Sequence, residues 1–488
     1  MNQPFTFDHN LPRLFIEQCR KRGNRLKVVD STGSKLTGHE LLMRVVALRR
    51  LLKRTLFAPD ERFVGILLPP SVPATVVNAA VTCCGKVAVN LNYTVSAGIL
   101  NQCISIAGIR NVLTSRKLME KLDMKLDAKL IYMEDLKDKI SWTDKLSALI
   151  AGRWMPVSLL ARLMGVHRIA PDDVQTVIFT SGSTGIPKGV VLSYQNIASN
   201  VAAINEAVGL KESDVFVGIL PFFHSFGFTV ALWTVLSSVP AAVYHFNPLD
   251  ARQIGKLAEQ YKATVLFGTP TFIRTYAKRV ERSQFQTLEV VVVGAEKMPM
   301  AVADMFEDAF GIRPIEGYGT TELSPIVSVN LPPSRSTATD PTRGLREGSV
   351  GRCVPGVRAR VVSLEDGHVM RTGESGMLQI AGPNVMQGYL NQPELSSKVL
   401  HDGWYDTGDV AMLDAEGFIH ITGRQSRFSK IGGEMVPHIQ VEEEIHKILG
   451  LNEEGTIPAV VCGVPDPKKG ERLVVLYTEL SKTPAEII

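Results

Sequence analysis

The stretch TSGSTGIPKG (180–189) sets Ser and Thr hydroxyls, glycines and one lysine between two apolar runs, VIF before it and VVL after it. The β-rich VIF, bounded by polar residues, predicts a strand over 176–179, after which the chain turns small and polar. Such a segment suits a backbone that approaches an anion closely. Glycine leaves the N–H groups bare, and the hydroxyls and Lys188 add donors and charge. A Walker-type phosphate loop has this spacing, but Pro187 stands where its second glycine belongs and Gly189 where its Mg2+-binding hydroxyl belongs. A plain Ser/Gly-rich surface loop is the bland alternative, so other segments must decide.

At 488 residues the chain exceeds the roughly 250–300 at which one core stops growing, which predicts two or more domains. Hydrophobic residues make up 45% and charged residues 21%, an ordinary globular composition with material for a large core. The net charge of +4 is small for this length, and no Lys/Arg block is interleaved with aromatics, so nucleic acid is excluded as a partner. None of the six cysteines forms a C-x-x-C pair or a zinc spacing with histidine, and the adjacent Cys83 and Cys84 read as buried thiols. These features imply a reducing, cytoplasmic setting. The N-terminal stretch lacks a basic region leading into an apolar one, and no run of about 18 apolar residues occurs, so neither secretion nor a membrane span is expected.

Along the first 330 residues helical and strand patterns alternate: a helix over 36–54, a strand over 63–69, a helix over 71–84, and later a helix over 226–238 and the strands ATVLFG and VVVVG. Alternation of this kind predicts an α/β fold with parallel sheets flanked by helices, here as two lobes. After Asn330 the texture turns polar and then into short strands separated by turns, which predicts a small β-barrel. The basic, glycine-rich GRQSRFSKIGGE (423–434) marks a boundary. The expected domains are therefore 1–423 and a small, mobile α+β unit over 424–488.

EGYGTTE (316–322) combines an aromatic face in Tyr318, possible phosphate donors in Thr320 and Thr321, and a carboxylate in Glu322 that suits Mg2+; alone it is a turn with a helix cap. WYDTGD (404–409) places Asp409 where it could accept ribose hydroxyls or simply close an Asx-turn. PFFHSFG (221–227) holds His224 among aromatics, a core histidine or the wall of an acid site. GAEKM (294–298) ends a four-valine strand, the position where open α/β sheets bind ligands.

In this order and at these separations, over roughly 63–470, the segments resemble the adenylate-forming superfamily of AMP-binding enzymes: acyl-CoA synthetases, aryl-CoA ligases, luciferases and peptide-synthetase adenylation domains. Within it, LPFFHSFGFTVALW, VLFGTPTF, VVVGAEKM, EGYGTTELSPIVSVN and GRQSRFSKIGGEMV are most similar to the acyl-acyl-carrier-protein synthetase half of bacterial 2-acylglycerophosphoethanolamine acyltransferases. The resemblance implies that Mg·ATP activates a carboxylic acid, a fatty acid first of all, to an acyl-adenylate, and that the thiol of CoA or of phosphopantetheine on an acyl carrier protein then displaces AMP. It carries the triphosphate to Thr180, Ser181, Ser183, Thr184 and Lys188 and the α-phosphate to Thr321, with Gly182, Gly185 and Thr320 as further nucleotide-binding positions in the same motifs. Mg2+ falls to Glu322, adenine to Tyr318, Gly319 and the turn Gly294, Ala295 and Glu296, and ribose to Asp409 and Arg424. His224 would border the carboxylate, and Lys430, Gly432 and Gly433 would line the thiol's route.

Two departures bear on the expected activity. The family's charged hinge position is Ser426 here, and the sequence stops at SKTPAEII (481–488) without the family's terminal lysine motif, which sets the expectation of slow adenylation with thioester formation retained. A nucleotide-binding pseudoenzyme and an adenylation module of a larger synthetase are the rival readings. The segment 144–168, rich in Leu, Ile, Met and Trp154 beside Lys145, Arg153, Arg162 and Arg168, reads either as a buried domain helix or as an interfacial helix giving peripheral contact with the inner membrane.

Overall fold

The computed structural model describes residues 5–181, 186–335, 344–431, 434–449, 459–466 and 470–477. Its largest sheet has nine strands, in the order Arg352–Cys353, Ile326–Val329, Ile315–Gly319, Val290–Val293, Val265–Gly268, Val215–Gly218, Ala241–Tyr244, Leu26–Asp30 and Lys35–Thr37. The central strands pair in parallel, and their β-branched runs are buried because helices cover both faces; all four residues of Val290–Val293 are inaccessible. From Val215–Gly218 the chain passes to Ala241–Tyr244 on one side, whereas from the adjacent Val265–Gly268 it passes to Val290–Val293 on the other. The carboxyl ends of these two strands therefore open a crevice at a topological switch point, where sheets of this type take ligands.

A second sheet of seven strands runs Gly388–Tyr389, Pro187–Ser193, Val174–Ser181, Val87–Asn90, Phe63–Ile66, Asn111–Thr114 and Lys129–Tyr132. One continuous core joins it to the first sheet, with Ile66, Ala88 and Ile178 from one, Phe216 and Tyr244 from the other, and Ile197, Val201 and Ile204 of the helix Tyr194–Val208. Val174–Ser181 and Pro187–Ser193 are antiparallel, with Thr180 opposite Lys188 and Ser181 opposite Pro187. The two ends of TSGSTGIPKG are thus paired antiparallel strands, whereas a Walker loop leads from a strand into a helix, and the two mismatched positions, Pro187 and Gly189, have this geometry as their reason.

The barrel expected after Asn330 takes the form of a five-stranded antiparallel sheet, Arg358–Val362, Ser375–Ala381, Trp404–Leu413 and Leu400–His401, with Ile419–Arg424 also paired to Trp404–Leu413. Its outer strands are not paired to each other among the described residues. A separate four-stranded sheet follows, Glu434–Pro437, Phe428–Ile431, Gly470–Tyr477 and Ala459–Asp466, packed by the helix His438–Leu449. The helix expected over 226–238 is mostly a π-helix, Gly227–Thr234, buried at every residue; a Cβ on Gly227 would lie 2.0 Å from the Pro221 carbonyl oxygen, so the entry into it is closed to larger residues. Cys83 and Cys84 are buried free thiols, and burial pushes both up to about 12. The segment 144–168 forms two helices, Trp142–Arg153 and Val157–Met164, and no helix among the described residues is long and apolar enough to cross a membrane.

Candidate active site

A cleft of about 560 Å³ lies at the switch point. Its floor comes from the residues that follow four parallel strands: Leu220 to Gly227 after Val215–Gly218, Thr269 and Phe272 after Val265–Gly268, Gly294 and Ala295 after Val290–Val293, and Tyr318 to Glu322 at the end of Ile315–Gly319. The hairpin of the second sheet brings Thr180 and Lys188 to it, and the antiparallel sheet brings Tyr405, Thr407 and Arg424. A volume of this size is typical of small-molecule sites.

Two local features fix the wall over the strand ends. Glu316, raised in pKa by burial, accepts the Met298 backbone N–H at 3.1 Å and so ties down the GAEKM turn, in which Ala295 holds a left-handed φ of 70°. A non-glycine residue in that conformation stores strain, a cost met most often at ligand sites. At Gly319 a Cβ would stand 1.9 Å from the Pro325 carbonyl oxygen, so the EGYGTTE turn closes only because that residue has none.

Tyr318 donates its phenol to Asp409 Oδ2 at 2.5 Å, and Arg424 Nε donates to Asp409 Oδ1 at 2.8 Å. Asp409 is buried behind Tyr318 and does not itself line the cleft. Burial, and then the Asp409 charge, pushes the Tyr318 phenol well above its ordinary value, so it stays a donor; the same carboxylate raises the Arg424 guanidinium. Ribose hydroxyls reaching Asp409 would have to share oxygens that already hold one partner each, which two lone pairs per oxygen allow.

Tyr389 donates to Glu322 Oε1 at 2.9 Å, and the Lys188 ammonium stands 5.5 Å from the centre of the Tyr389 ring. Burial, then the Glu322 charge, raises the Tyr389 phenol, which remains protonated. Thr321 Oγ1 contacts Ser225 Oγ at 3.2 Å, while Thr320 Oγ1 is buried with no partner. Buried hydroxyls are ordinarily paired, so this orphan stands out in a turn that lines the same cleft as a lysine. Glu322 Oε2 has no hydrogen-bond partner among the described residues, and no cluster of three metal-binding side chains occurs there. The set fits Mg2+ held by one carboxylate together with phosphate oxygens, the ion's common arrangement beside nucleotides. His224 is exposed at the cleft and packs on Phe223 with ring centres 4.5 Å apart, and partial desolvation by its neighbours holds its pKa below the ordinary histidine value, so the ring is mainly neutral at pH 7.

Of the residues predicted for the site, Thr180, Lys188, His224, Gly294, Ala295, Tyr318, Gly319, Thr320, Thr321, Glu322 and Arg424 line this one cleft. Glu296 does not; it is exposed and accepts Thr271 Oγ1 at 3.4 Å. Gly182, Ser183, Thr184, Gly185, Gly432 and Gly433 lie outside the described residues, as do the side chains of Ser181 and Lys430, whose backbones end the strands Val174–Ser181 and Phe428–Ile431. Sequence reasoning missed Tyr389, Glu316 and Tyr405. Tyr405 and Glu316 stand inside motifs already singled out, but Tyr389 is reached only through the pairing of Gly388–Tyr389 with Val190 and Val191, which no local pattern announces.

Residues 15–390 match the family model described as AMP-binding enzyme. A long-chain-fatty-acid–CoA ligase of Bacillus subtilis (strain 168) is 31% identical over 316 residues, 63% of this chain and 53% of that relative, so the chain spans about half of it. One of Yersinia pestis is 26% identical over 484 residues, 93% of this chain and 84% of the relative. The crystal structure of ATP-bound MatB from Rhodopseudomonas palustris superposes with a TM-score of 0.78 at 25% identity, covering 98% of this chain and 91% of that one.

Proposed function

The chain belongs to the AMP-binding enzyme family, and from that premise we propose that it activates a carboxylic acid with ATP and passes the acyl group to a thiol. The reading rests on one observation: a phosphate-type hairpin with Lys188, the turn from Tyr318 to Glu322, and Arg424 over the buried Asp409 all meet at one cleft. Lys188, with Thr180 and residues Ser181 to Gly185 of the same motif, holds the β- and γ-phosphates; Thr320 and Thr321 donate to the α-phosphate. Glu322 would hold Mg2+, and the ion would supply neutralisation of phosphate charge. Tyr318, Gly319 and the Gly294–Ala295 turn flank adenine, and Asp409 with Arg424 takes the ribose. Beside neutral His224 the carboxylate attacks the α-phosphorus, a new P–O bond forms and pyrophosphate leaves, with catalysis coming from positioning and charge neutralisation. A phosphopantetheine thiol then attacks the acyl carbon and AMP leaves.

A fatty acid is the substrate we put first, because the relatives named above act on long-chain fatty acids. CoA is the acceptor of those ligases, whereas the resemblance of the segments around His224 and Lys430 favours phosphopantetheine on an acyl carrier protein. We place the domain boundary between Gly423 and Arg424, with Lys430, Gly432 and Gly433 on the unit that turns toward the cleft for the thiol step. The test uses Mg·ATP with fatty acids of graded length, reading pyrophosphate first and then thioester with CoA and with holo-carrier protein in parallel. Pyrophosphate release that depends on the acid is the expected result. ATP binding without acid-dependent pyrophosphate would overturn the reading in favour of a nucleotide-binding protein.

A further inference from the structure

The helix Trp142–Arg153 is packed inside out. Asp144, Ala148, Ala151 and Gly152 stand at i, i+4, i+7 and i+8 and are buried, while Trp142, Leu146, Leu149 and Ile150 have the same spacing two residues earlier, about 200° round the axis, and are exposed. A surface helix ordinarily turns its large apolar stripe to the core. Here the small stripe seats instead: a Cβ on Gly152 would lie 2.3 Å from Met43 Cγ, leaving no room for a larger face. Polar ties fix the rotation, with Arg54 and Arg50 on Asp144 at 2.9 and 3.2 Å and Arg20 on the Ala151 carbonyl at 2.8 Å.

The next helix, Val157–Met164, continues the pattern, burying Leu160, Ala161 and Met164 and exposing Leu159 and Leu163. Trp142 is 73% exposed, Trp154 65% and Leu163 63%, so large apolar side chains stand in solvent along both helices and the turn between them. Lys145, Arg153, Arg162 and Arg168 are also exposed, and none is paired with a carboxylate among the described residues. The one acid between residues 142 and 168, Asp144, is buried. None of these residues lines the cleft.

We propose that this two-helix face docks on an anionic phospholipid bilayer, its Trp and Leu side chains entering the interface and its four basic side chains meeting headgroup phosphates. A purely apolar protein surface would cover the leucines and leave four cations unanswered, whereas an anionic bilayer takes both. Tryptophan is favoured at the lipid–water boundary, and a short amphipathic helix with a basic margin lies in that plane without crossing it. The proposal is independent of the chemistry assigned to the cleft.

The test is flotation of the intact chain with phosphatidylcholine vesicles, with and without phosphatidylglycerol, while following tryptophan emission. The wild type is expected to float with the anionic vesicles only, with a blue shift, and to be released by salt. Leu146→Glu with Ile150→Glu should abolish flotation. Arg153→Gln with Arg162→Gln should weaken partitioning by roughly thirtyfold, from about 1 kcal/mol per basic residue at such a surface. All four positions are exposed, so unchanged melting is expected; should the Glu pair fail to fold, the Gln pair decides. Failure of the wild type to float, or equal flotation by the variants, overturns the proposal. So does a wild-type dimer that the Glu pair converts to monomer, which would make the face a contact between copies of this chain.

Discussion

Tyr389 illustrates what a single side chain contributes to the cleft. It orients Glu322 through one hydrogen bond and presents its ring to Lys188, so it couples the hairpin to the metal-type carboxylate without being either. Tyr389→Phe keeps the ring and removes the bond; a hydrogen bond to a charged group is worth about 1.5 kcal/mol, so kcat/KM for Mg·ATP should fall about tenfold while the melting temperature barely moves. Pyrophosphate release and calorimetry on the same sample check both halves, and an unchanged kcat/KM would remove Tyr389 from the site. Gly319→Ala is the contrasting case. Its added Cβ meets backbone, not a movable side chain, so a loss of about 2 kcal/mol or more in stability together with lost nucleotide binding is expected by denaturant titration and ATP titration. The two differ in legibility for a physical reason. Gly319 stands in a local motif whose turn demands glycine, whereas Tyr389 reaches Glu322 by strand pairing across 67 positions of sequence.

At the scale of elements, alternation of helix and strand was readable because buried parallel strands are continuous β-branched runs, and VVVV at 290–293 could be little else. The hairpin after Phe179 was less legible: Pro187 and Gly189 are poor strand formers, and only their pairing opposite Ser181 and Phe179 makes a strand there. The helix over 226–238 was read, but its π form was not, since its apolar residues have no polar face against which to set a period. The strand Leu26–Asp30 carries a further device. Lys27 is fully buried and donates to the carbonyls of Ser238 at 2.7 Å and Pro240 at 2.9 Å, tying this strand to the entry of Ala241–Tyr244. Burial, opposed in part by Cys19, lowers the lysine from its ordinary value to about 7. The unfolded chain therefore binds the more protons between about pH 7 and the ordinary lysine value near 10.5, so this group makes stability rise with pH through that window, with a lower plateau below it. The slope approaches 1.4 kcal/mol per pH unit at most. Denaturant midpoints between pH 7.5 and 8.5 should climb more steeply for the wild type than for Lys27→Met, and parallel slopes would mean that the amine stays charged on its two carbonyls.

Across the whole molecule the two large sheets and the antiparallel sheet share one core, whereas the sheet beyond Arg424 has its own small cluster of Ile445, Ala459 and Val461, with Val441 and Leu473 against it. Glu442 carries much of its internal order, accepting the Val461 backbone N–H at 2.7 Å and pairing with Arg427. A cluster so small supplies little of the apolar burial that holds a unit together independently. Calorimetry should therefore resolve two steps, a low one from the small sheet and a high one from the large body. Nucleotide bound on the strand ends is held by the large body except at Arg424, the boundary residue, so ATP at a hundredfold excess over its Kd should stabilise the upper step by about 2.7 kcal/mol and leave the lower step, set by the sheet beyond Arg424, in place. Adding acid and thiol together is expected to raise the lower step as well, because the proposed thiol step would bring the strand Phe428–Ile431 to the cleft. A single cooperative transition that moves as a whole with ATP would show the two bodies to be one unit, and would contradict the turning domain on which the thiol step relies.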